Sequence, residues 1–248
     1  MNLAGTPSTL LRLAFRLGYG LRRILPTQTS NAFGLRRGSD GQAIEKIYVI
    51  NLDRQPDRWS RVKSELKRVK DRYGVELLSL SERHPAVDAR SFFQDPNKDA
   101  DVDPFYTLAD QLFVEPQPRT LPTHFELESP IRMSRAEVAV AKSHIEVWRR
   151  IAQGAHSHAL ILEDDVWIHP GFARQLDQAW NFVSTTNRDH EDVDVLYVSY
   201  MESKGGAPKS FTSSYVFRPE RGLWNLSGYI LSRRGRRNFF NYYLVAAR

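Results

Sequence analysis

Three consecutive carboxylates, Glu163, Asp164 and Asp165, follow an apolar run in the segment ALILEDDVWIHP. The apolar residues are typical of a buried strand, so the acids are predicted to lie where that strand ends. Because side chains alternate along a strand, Glu163 and Asp165 are expected on the same side of the backbone. Two such carboxylates can bind one hard divalent cation through oxygen, which would remove their mutual repulsion. By itself the segment is also compatible with a solvated turn that binds no ligand.

Polar and basic side chains also follow the first predicted strand, in the segment VINLDRQPDR. Arg54 and Arg58 are four residues apart, so they share one face of the helix that is predicted to follow. Two guanidinium groups near a strand end suit the binding of phosphates or of a nucleotide. Salt bridges to Asp53 and Asp57 within the first helical turn explain the same residues without a ligand.

A long helix is predicted over residues 134–154. Its first residue, Ser134, is followed three positions later by Glu137, which is the pattern of a capping box. Glu137, His144 and Trp148 are expected on nearly one face of this helix. A histidine in such a position is more often a core residue hydrogen-bonded to a neighbour than a ligand.

Apolar runs of strand length alternate with segments of helical periodicity along most of the chain. This order predicts an α/β fold with a mostly parallel central sheet flanked by helices. The segments that carry the chemistry then fall at the carboxyl ends of strands, where open α/β sheets bind ligands. The predicted strands are 46–52, 75–80, 158–164, 194–200, 213–218 and 227–232, and the predicted helices are 53–74, 134–154, 170–183 and 233–246.

Composition and charge narrow the function classes. The chain contains 248 residues and no cysteine, which excludes disulfides and thiolate metal sites. Residues 1–47 carry a net charge of +5 and residues 218–248 carry +6, whereas residues 48–217 carry −5. An acidic body with basic ends argues against a nucleic-acid-binding protein, in which basic residues usually spread over the folded surface. It fits an anionic ligand or an anionic membrane surface.

The domain is predicted to cover residues 44–248, after a basic amphipathic segment and linker at 1–43. Leucines and arginines interleave over the first 25 residues, with too many charges for a membrane span. As a helix, this segment suits a membrane interface, and packing on the domain is the alternative. Residues 26–43, rich in Gly, Ser, Thr and Asn, are predicted to be a linker. Residues 94–132 contain six prolines and are predicted to be a lid or acceptor loop, or else a surface insertion.

Five segments, taken in order, resemble motifs of glycosyltransferase family 25 over residues 46–243. That family contains bacterial lipopolysaccharide and lipooligosaccharide galactosyltransferases and relatives of the collagen galactosyltransferases. Ala89, Ala136 and Ala139 stand where these motifs usually have glycine, and Val140 where they usually have cysteine. Five motifs in one order are far more specific than any one of them. The similar segments are IYVINLDRQPDR, PAVDA at 85–89, AEVAVAKSH, LILEDDV and GYILSRRGRR.

The resemblance implies a GT-A-like nucleotide-sugar-binding fold, a UDP-sugar donor such as UDP-galactose, and a divalent metal, Mn²⁺ or Mg²⁺. The metal would be held by Asp165 with Glu163 or Asp164, and would neutralise the growing charge of the diphosphate leaving group. Residues expected to contact the donor are Asn51, Asp53, Arg54, Arg58, Asp88 and His144.

An inverting transfer, which the resemblance implies, also needs a carboxylate that deprotonates the acceptor hydroxyl. Glu163, Asp165 and Asp88 are the residues expected to take part in catalysis. The base itself is left open among Asp88, Glu137, Glu163 and Glu202.

The function implied by the resemblance is that of an enzyme, a hexosyltransferase. It would move a hexose, with galactose preferred, from a UDP-sugar to a glycan or lipid-linked oligosaccharide acceptor in the synthesis of cell-surface polysaccharide or lipopolysaccharide. The expected location is the cytoplasm, with peripheral membrane contact through the N-terminal segment. Family members usually continue to a Pro-Val-Asp-like segment, whereas this sequence ends at Arg248, so a fragment and a shortened member both fit. The alternative function is that of a catalytically inactive nucleotide- or glycan-binding protein on the same fold.

Overall fold

The computed structural model describes residues 26–34, 43–90, 101–114, 126–186, 194–202, 208–219 and 223–233. The predicted N-terminal amphipathic segment and most of the predicted C-terminal helix lie outside these ranges. Among the described helices, none is long and apolar enough to cross a membrane. The helices are α1 (Pro56–Lys67), α2 (Leu108–Val114), α3 (Arg135–Gln153) and α4 (Phe172–Thr186). The strands are β1 (Gln28–Ser30), β2 (Lys46–Asn51), β3 (Val69–Asp71), β4 (Ser81–Pro85), β5 (Phe105–Thr107), β6 (Pro130–Arg132), β7 (His158–Glu163), β8 (Val195–Glu202), β9 (Lys209–Phe211), β10 (Phe217–Pro219) and β11 (Leu223–Ser232).

The centre of the fold is a five-stranded sheet with the order β4-β2-β7-β11-β8. Strands β4, β2 and β7 are parallel neighbours, whereas β11 runs antiparallel to both β7 and β8. Strand β8 therefore points the same way as β7, and four of the five strands share one direction. The predicted α/β fold with a mostly parallel sheet is confirmed.

Both faces of this sheet are covered, which explains why β2 and β7 are nearly continuous apolar runs. On one face, Leu160 and Leu162 of β7 pack in a cluster with residues of α1 and α4. On the other face, Ile161 packs in a second cluster with Trp148 of α3 and Tyr229 of β11. Successive side chains of β7 thus point to opposite faces of the sheet and contribute to the hydrophobic layers on both.

Helix α3 begins and ends where the sequence predicts. The side chain of Ser134 accepts a hydrogen bond from the backbone N–H of Glu137, and the Glu137 carboxylate accepts one from the N–H of Ser134. The helix ends at Gln153, and Gly154 follows as its C-terminal cap. This reciprocal cap fixes the start of the helix that carries His144.

The strand predicted at 75–80 is wrong. Residues Leu77–Leu80 form a 3₁₀ helix, in which the three-residue spacing brings Leu77 and Leu80 together into the core. The strand that pairs with β2 is β4, whose sequence is the polar SERHP. Because β4 is the edge of the sheet, it needs no apolar alternation and gives no strand pattern.

The linker interpretation of residues 26–43 is wrong for residues 28–34. Strand β1 pairs in parallel with β3, and Phe33 is fully buried in the core. The carboxylate of Asp177 on α4 accepts hydrogen bonds from the hydroxyl of Ser30 at 2.6 Å and from the backbone N–H of Asn31 at 2.9 Å. One buried aromatic ring and one partly buried carboxylate hold this segment, so it shows no hydrophobic periodicity.

Two other irregular regions contain short elements. Within the proline-rich stretch 94–132, β5 pairs antiparallel with β6 and α2 follows β5 directly, while the remaining described residues of the stretch have no regular structure. The predicted strand at 213–218 is shorter, and β10 instead forms a separate antiparallel pair with β9. The strand predicted at 227–232 lies within β11.

Candidate active site

The carboxyl ends of β2 and β7 meet at one edge of the sheet. Asn51 is the last residue of β2, and Asp164 directly follows β7. The Asn51 side-chain amide donates to a carboxylate oxygen of Asp164 at 2.7 Å and to the backbone carbonyl of Gln55 at 3.0 Å. Parallel pairing of the two strands thus produces the juxtaposition that the sequence predicts.

Asp164 is a buried junction within the protein, with 7% of its surface exposed. Its second carboxylate oxygen accepts a hydrogen bond from Arg58 at 3.0 Å, and its backbone carbonyl accepts one from Arg61 at 2.7 Å. Both carboxylate oxygens therefore already have protein donors. A metal ion bound by Asp164 would have to share these oxygens with Arg58 and Asn51, and the role of Asp164 as a metal ligand stays a prediction.

Arg83 of β4 is a site residue that the sequence reading missed. Its guanidinium donates to the side-chain oxygen of Asn51 at 2.7 Å and to the backbone carbonyl of Asn51 at 3.1 Å, and it pairs with Asp53. Asn51 is thereby fixed from two sides. The sequence signal for Arg83 is its position just before the PAVDA segment. The incorrect prediction of a strand at 75–80 hides this signal, because it leaves Arg83 outside the sheet.

Asp88 and Arg54 form an ion pair beside this edge. The Arg54 Nε donates to Asp88 at 2.7 Å, and the other Asp88 oxygen accepts the backbone N–H of Arg90 at 2.9 Å. The Arg90 N–H and the Arg54 guanidinium hold the pKa of Asp88 below its ordinary value. A carboxylate held in this way is a weaker proton acceptor than a free one, and the role of Asp88 as the base stays a prediction.

Glu163 ends a chain of buried hydrogen bonds. The indole N–H of Trp148 donates to the hydroxyl oxygen of Tyr229 at 2.6 Å. That hydroxyl lies 2.9 Å from Nδ1 of His144, and Nε2 of His144 lies 3.2 Å from Glu163 Oε1. Because the Glu163 carboxylate can only accept, Nε2 of His144 carries a proton, and Nδ1 of the neutral imidazole then accepts the Tyr229 proton. His144 is then the tautomer with a proton on Nε2, which it donates to Glu163.

The hydrogen bonds from Trp148 to Glu163 show that His144 is both a core residue and a part of the candidate site. The imidazole is 1% exposed and packs near Trp148 and Tyr229, as a core histidine does. Its Nε2 nevertheless faces the carboxylate of Glu163, whose side chain is 29% exposed. His144 is therefore a buried support that positions a solvent-accessible acid.

Glu163 and Asp165 line the same cavity, of about 480 Å³. Leu160 and Leu162 form part of its apolar wall. Burial by the surrounding protein raises the pKa of Asp165, and the negative charge of Glu163 raises it further. Asp165 as a whole residue is nevertheless exposed to solvent, so its burial is only partial. Negative charge is thus concentrated here without full compensation by a protein cation.

Glu163 and Asp165 suit a cation that takes some of its ligands from the protein and the others from a bound substrate. Within the described residues, no three His, Asp or Glu side chains converge as a metal site. Glu163 and Asp165 supply two carboxylates, which is the number that Mg²⁺ commonly takes from protein when phosphate oxygens supply other ligands. The raised pKa of Asp165 is the observation that favours added positive charge.

A β-bulge in β11 forms another part of the cavity wall. The pairing of β11 with β8 shifts register between Trp224 and Gly228, and Asn225 has a positive φ of 74°. Asn225 and Ser227 line the cavity, and the hydroxyl of Ser227 lies 2.9 Å from that of Ser199. Bulges of this kind aim side chains at sites, and asparagine tolerates the left-handed conformation better than most residues. The sequence carries no signal for it.

The family profile described as "Glycosyltransferase family 25 (LPS biosynthesis protein)" matches residues 44–246. The chain belongs to glycosyltransferase family 25. The described α/β architecture is consistent with a glycosyltransferase fold, and the acid motif and the edge that it shares with Asn51 lie within the matched region.

Three similar proteins are longer than this family 25 chain. A "Glycosyltransferase 25 family member" of Aedes aegypti is 27% identical over 139 residues, which are 56% of this chain and 19% of that protein. One of Anopheles gambiae is 25% identical over 198 residues, 79% of this chain and 28% of that protein. A "Procollagen lysyl hydroxylase and glycosyltransferase" of Acanthamoeba polyphaga mimivirus is 25% identical over 211 residues, 80% and 20% of the two chains. The matched part of the chain thus spans between 19% and 28% of their lengths.

Two further acids considered as bases lie elsewhere in this family 25 chain. Glu137 is occupied by the capping box with Ser134. Glu202, at the end of β8, is paired with Lys209. Neither lines the cavity, whereas Glu163 does.

Proposed function

We propose that this chain is a metal-assisted hexosyltransferase that binds a UDP-sugar at the cavity lined by Glu163 and Asp165 and transfers the sugar, galactose in the first instance, to a glycan acceptor. The observation that supports it is the pair of acids at a cavity between sheet and helix, with the pKa of Asp165 raised. Membership of family 25 supports the nucleotide-sugar donor. Cell-surface polysaccharide or lipopolysaccharide synthesis, with contact to the cytoplasmic side of a membrane, is the proposed setting.

Glu163 and Asp165 would hold the cation, Mn²⁺ or Mg²⁺. When bound there, such a cation supplies positive charge that stabilises a departing diphosphate. In this proposal the Nε2–H of His144 fixes one oxygen of Glu163 and leaves the other for the ligand. The Asn51–Asp164 junction holds the two strand ends at a constant separation.

The arginines have unequal parts in the proposal. Arg61 and Arg83 are engaged with backbone carbonyls of the site and serve the scaffold. Arg54 and Arg58 each have an acidic partner, yet their side chains remain 37% and 45% exposed. Each guanidinium has five donors, so both can contact phosphate while keeping their ion pairs.

The first test is thermal denaturation of the full chain with UDP, GDP or CMP, each with and without Mn²⁺. UDP with Mn²⁺ is expected to raise the melting temperature, since a ligand that binds only the folded state stabilises it. Asp165→Asn should abolish that increase while circular dichroism stays unchanged. Glu128→Gln, which removes an exposed acid outside the cavity, is the matched control. No metal-dependent response to UDP would refute the proposed donor site.

Turnover is tested separately, by release of UDP from UDP-galactose in the presence of Mn²⁺. Release that depends on Asp165 supports a transferase. A metal-dependent thermal response to UDP without any release would instead favour a nucleotide-binding protein on this fold.

A further inference from the structure

Exposed aromatic rings gather on the hairpin that follows β8. Phe211 is 71% exposed and Tyr215 is 56% exposed, while Tyr200 at the end of β8 is 40% exposed. Isolated exposed apolar residues are ordinary on protein surfaces, but a contiguous group of rings marks a binding surface. We call Tyr200, Phe211, Tyr215 and Phe217 the aromatic hairpin cluster.

Tyr200, Phe217 and Phe211 form one continuous series, and Tyr215 lies in the turn between the two strands of the hairpin. Phe217 of β10 pairs directly opposite Phe211 of β9, which places both side chains on the same face of the hairpin. Their ring centres are 5.9 Å apart, and the centre of Phe217 is 5.6 Å from that of Tyr200 in an edge-to-face contact. The series therefore runs outward from the main sheet, through a half-buried ring, to the exposed Phe211.

The cluster is continuous with the proposed active site. Val198 and Ser199 of β8 line the cavity, and Tyr200 is the next residue along the strand. Because β8 points the same way as β7, its end lies at the edge of the sheet where Glu163 and Asp165 lie. A molecule resting on the rings would thus have its end near the cavity.

On the face of the hairpin that carries Phe211 and Phe217, the charges favour a neutral partner, because Arg218 alternates to the opposite face. Lys209 lies over the Phe217 ring at 4.9 Å and is also paired with Glu202, so the two charges compensate each other. Hydroxyl residues separate the aromatic ones in the segment KSFTSSYVF. Flat rings beside hydroxyl and ionic groups complement a pyranose, which has an apolar C–H face and a polar rim. The C–H hydrogens carry partial positive charge and match the negative face of an aromatic ring.

We propose that the aromatic hairpin cluster is the surface on which a neutral acceptor glycan stacks, with its pyranose rings against Phe211 and Phe217. This inference rests on the proposed function and names where that function's acceptor binds. The rings need no donor nucleotide for this contact, so glycan binding is expected in the absence of UDP and metal.

The test is saturation-transfer difference NMR on the full chain with lactose, cellotriose and maltotriose, each compared with the acyclic polyol sorbitol. At least one glycan should receive saturation at its ring C–H protons, and sorbitol should not. The double variant Phe211→Ser, Tyr215→Ser should lower that signal at least fivefold. Tyr73→Ser is the matched control, since it removes a 65% exposed ring outside the cluster, and it should leave the signal unchanged.

The outcomes separate this inference from the proposed function. Loss of glycan signal in the double variant, with its UDP and Mn²⁺ thermal response intact, supports the acceptor surface. An equal signal in wild type and double variant, binding of none of the three glycans, or saturation of sorbitol would overturn it. Concentration-dependent self-association that the double variant abolishes, without glycan binding, would assign the cluster to a second copy of the chain and also overturn it. Glycan binding through Phe211 without any UDP response would refute the donor site alone.

Discussion

The hydroxyl of Tyr229 supports the geometry of Glu163, and Tyr229→Phe tests this directly. In the structure this fully buried hydroxyl accepts the Trp148 indole N–H at 2.6 Å and donates to Nδ1 of His144 at 2.9 Å. Phenylalanine keeps the ring but leaves a buried donor and a buried acceptor without this partner. Each such loss costs about 1–3 kcal/mol. We expect a net loss of about 2–4 kcal/mol in the free energy of unfolding.

Urea denaturation at neutral pH measures this loss. For a chain of this length, about 1 kcal/mol corresponds to about 2–4 °C, so the melting temperature should fall by about 5–15 °C. Tyr48→Phe is the control in the same hydrophobic layer, because the described residues give its hydroxyl no hydrogen bond. Its effect should stay below about 1 kcal/mol.

A second measurement separates position from stability. Nitrogen-15 NMR of His144 should find the proton on Nε2 in both the wild type and Tyr229→Phe, because the Glu163 carboxylate accepts it. The Nδ1 resonance should shift in the variant, since Nδ1 has lost its donor. An unchanged urea midpoint together with an unchanged Nδ1 resonance would refute the hydrogen-bond chain described above.

Three further predictions concern other parts of the structure. Asp165→Asn should raise the urea midpoint at pH 7, because a raised pKa in the folded state means that the charged carboxylate destabilises the fold. This gain in stability should vanish as the pH falls through the pKa of Asp165 in the folded state. A gain that does not depend on pH would contradict the raised pKa. Gly228→Ala should lower the free energy of unfolding in urea by about 1–3 kcal/mol, since its added Cβ would lie 3.1 Å from the Cβ of Ser199. Equal stability of the variant would show that β8 moves away and relieves this contact. Asp177→Asn should accelerate hydrogen exchange at the amides of residues 31 and 32, which its carboxylate accepts, and unaltered exchange there would rule out that anchor.

The sequence predicts a strand correctly where both of its faces are buried, and it predicts a helix start correctly where the capping residues are close together in the sequence. Strand β7 is buried on both faces, so its apolar run is visible without knowledge of its neighbours. The start of α3 follows from Ser134 and Glu137 alone, because a capping box involves residues only three apart. These two features position Glu163 and His144, and hence much of the candidate site.

The features that were missed depend on partners distant in sequence. Strand β4 is polar because it is an edge, and only its pairing with β2 identifies it. Asp164 and Asp165 are adjacent acids of the same chemical type, yet Asp164 is engaged by Asn51 while Asp165 lines the cavity. The position of Arg83 beside Asn51 likewise requires the parallel register of two strands. Such distinctions come from tertiary structure, which a single sequence does not encode in its local pattern.

The antiparallel insertion of β11 between β7 and β8 has a consequence for biosynthesis. Tyr229 is 85 positions beyond His144 along the chain, so during translation His144 leaves the ribosome well before the tyrosine whose hydroxyl orients it. A nascent chain that has folded its parallel strands would still contain an unoriented histidine and an unsupported acid. Assembly of the candidate site is thereby coupled to β11, the last strand of the described sheet to be synthesised.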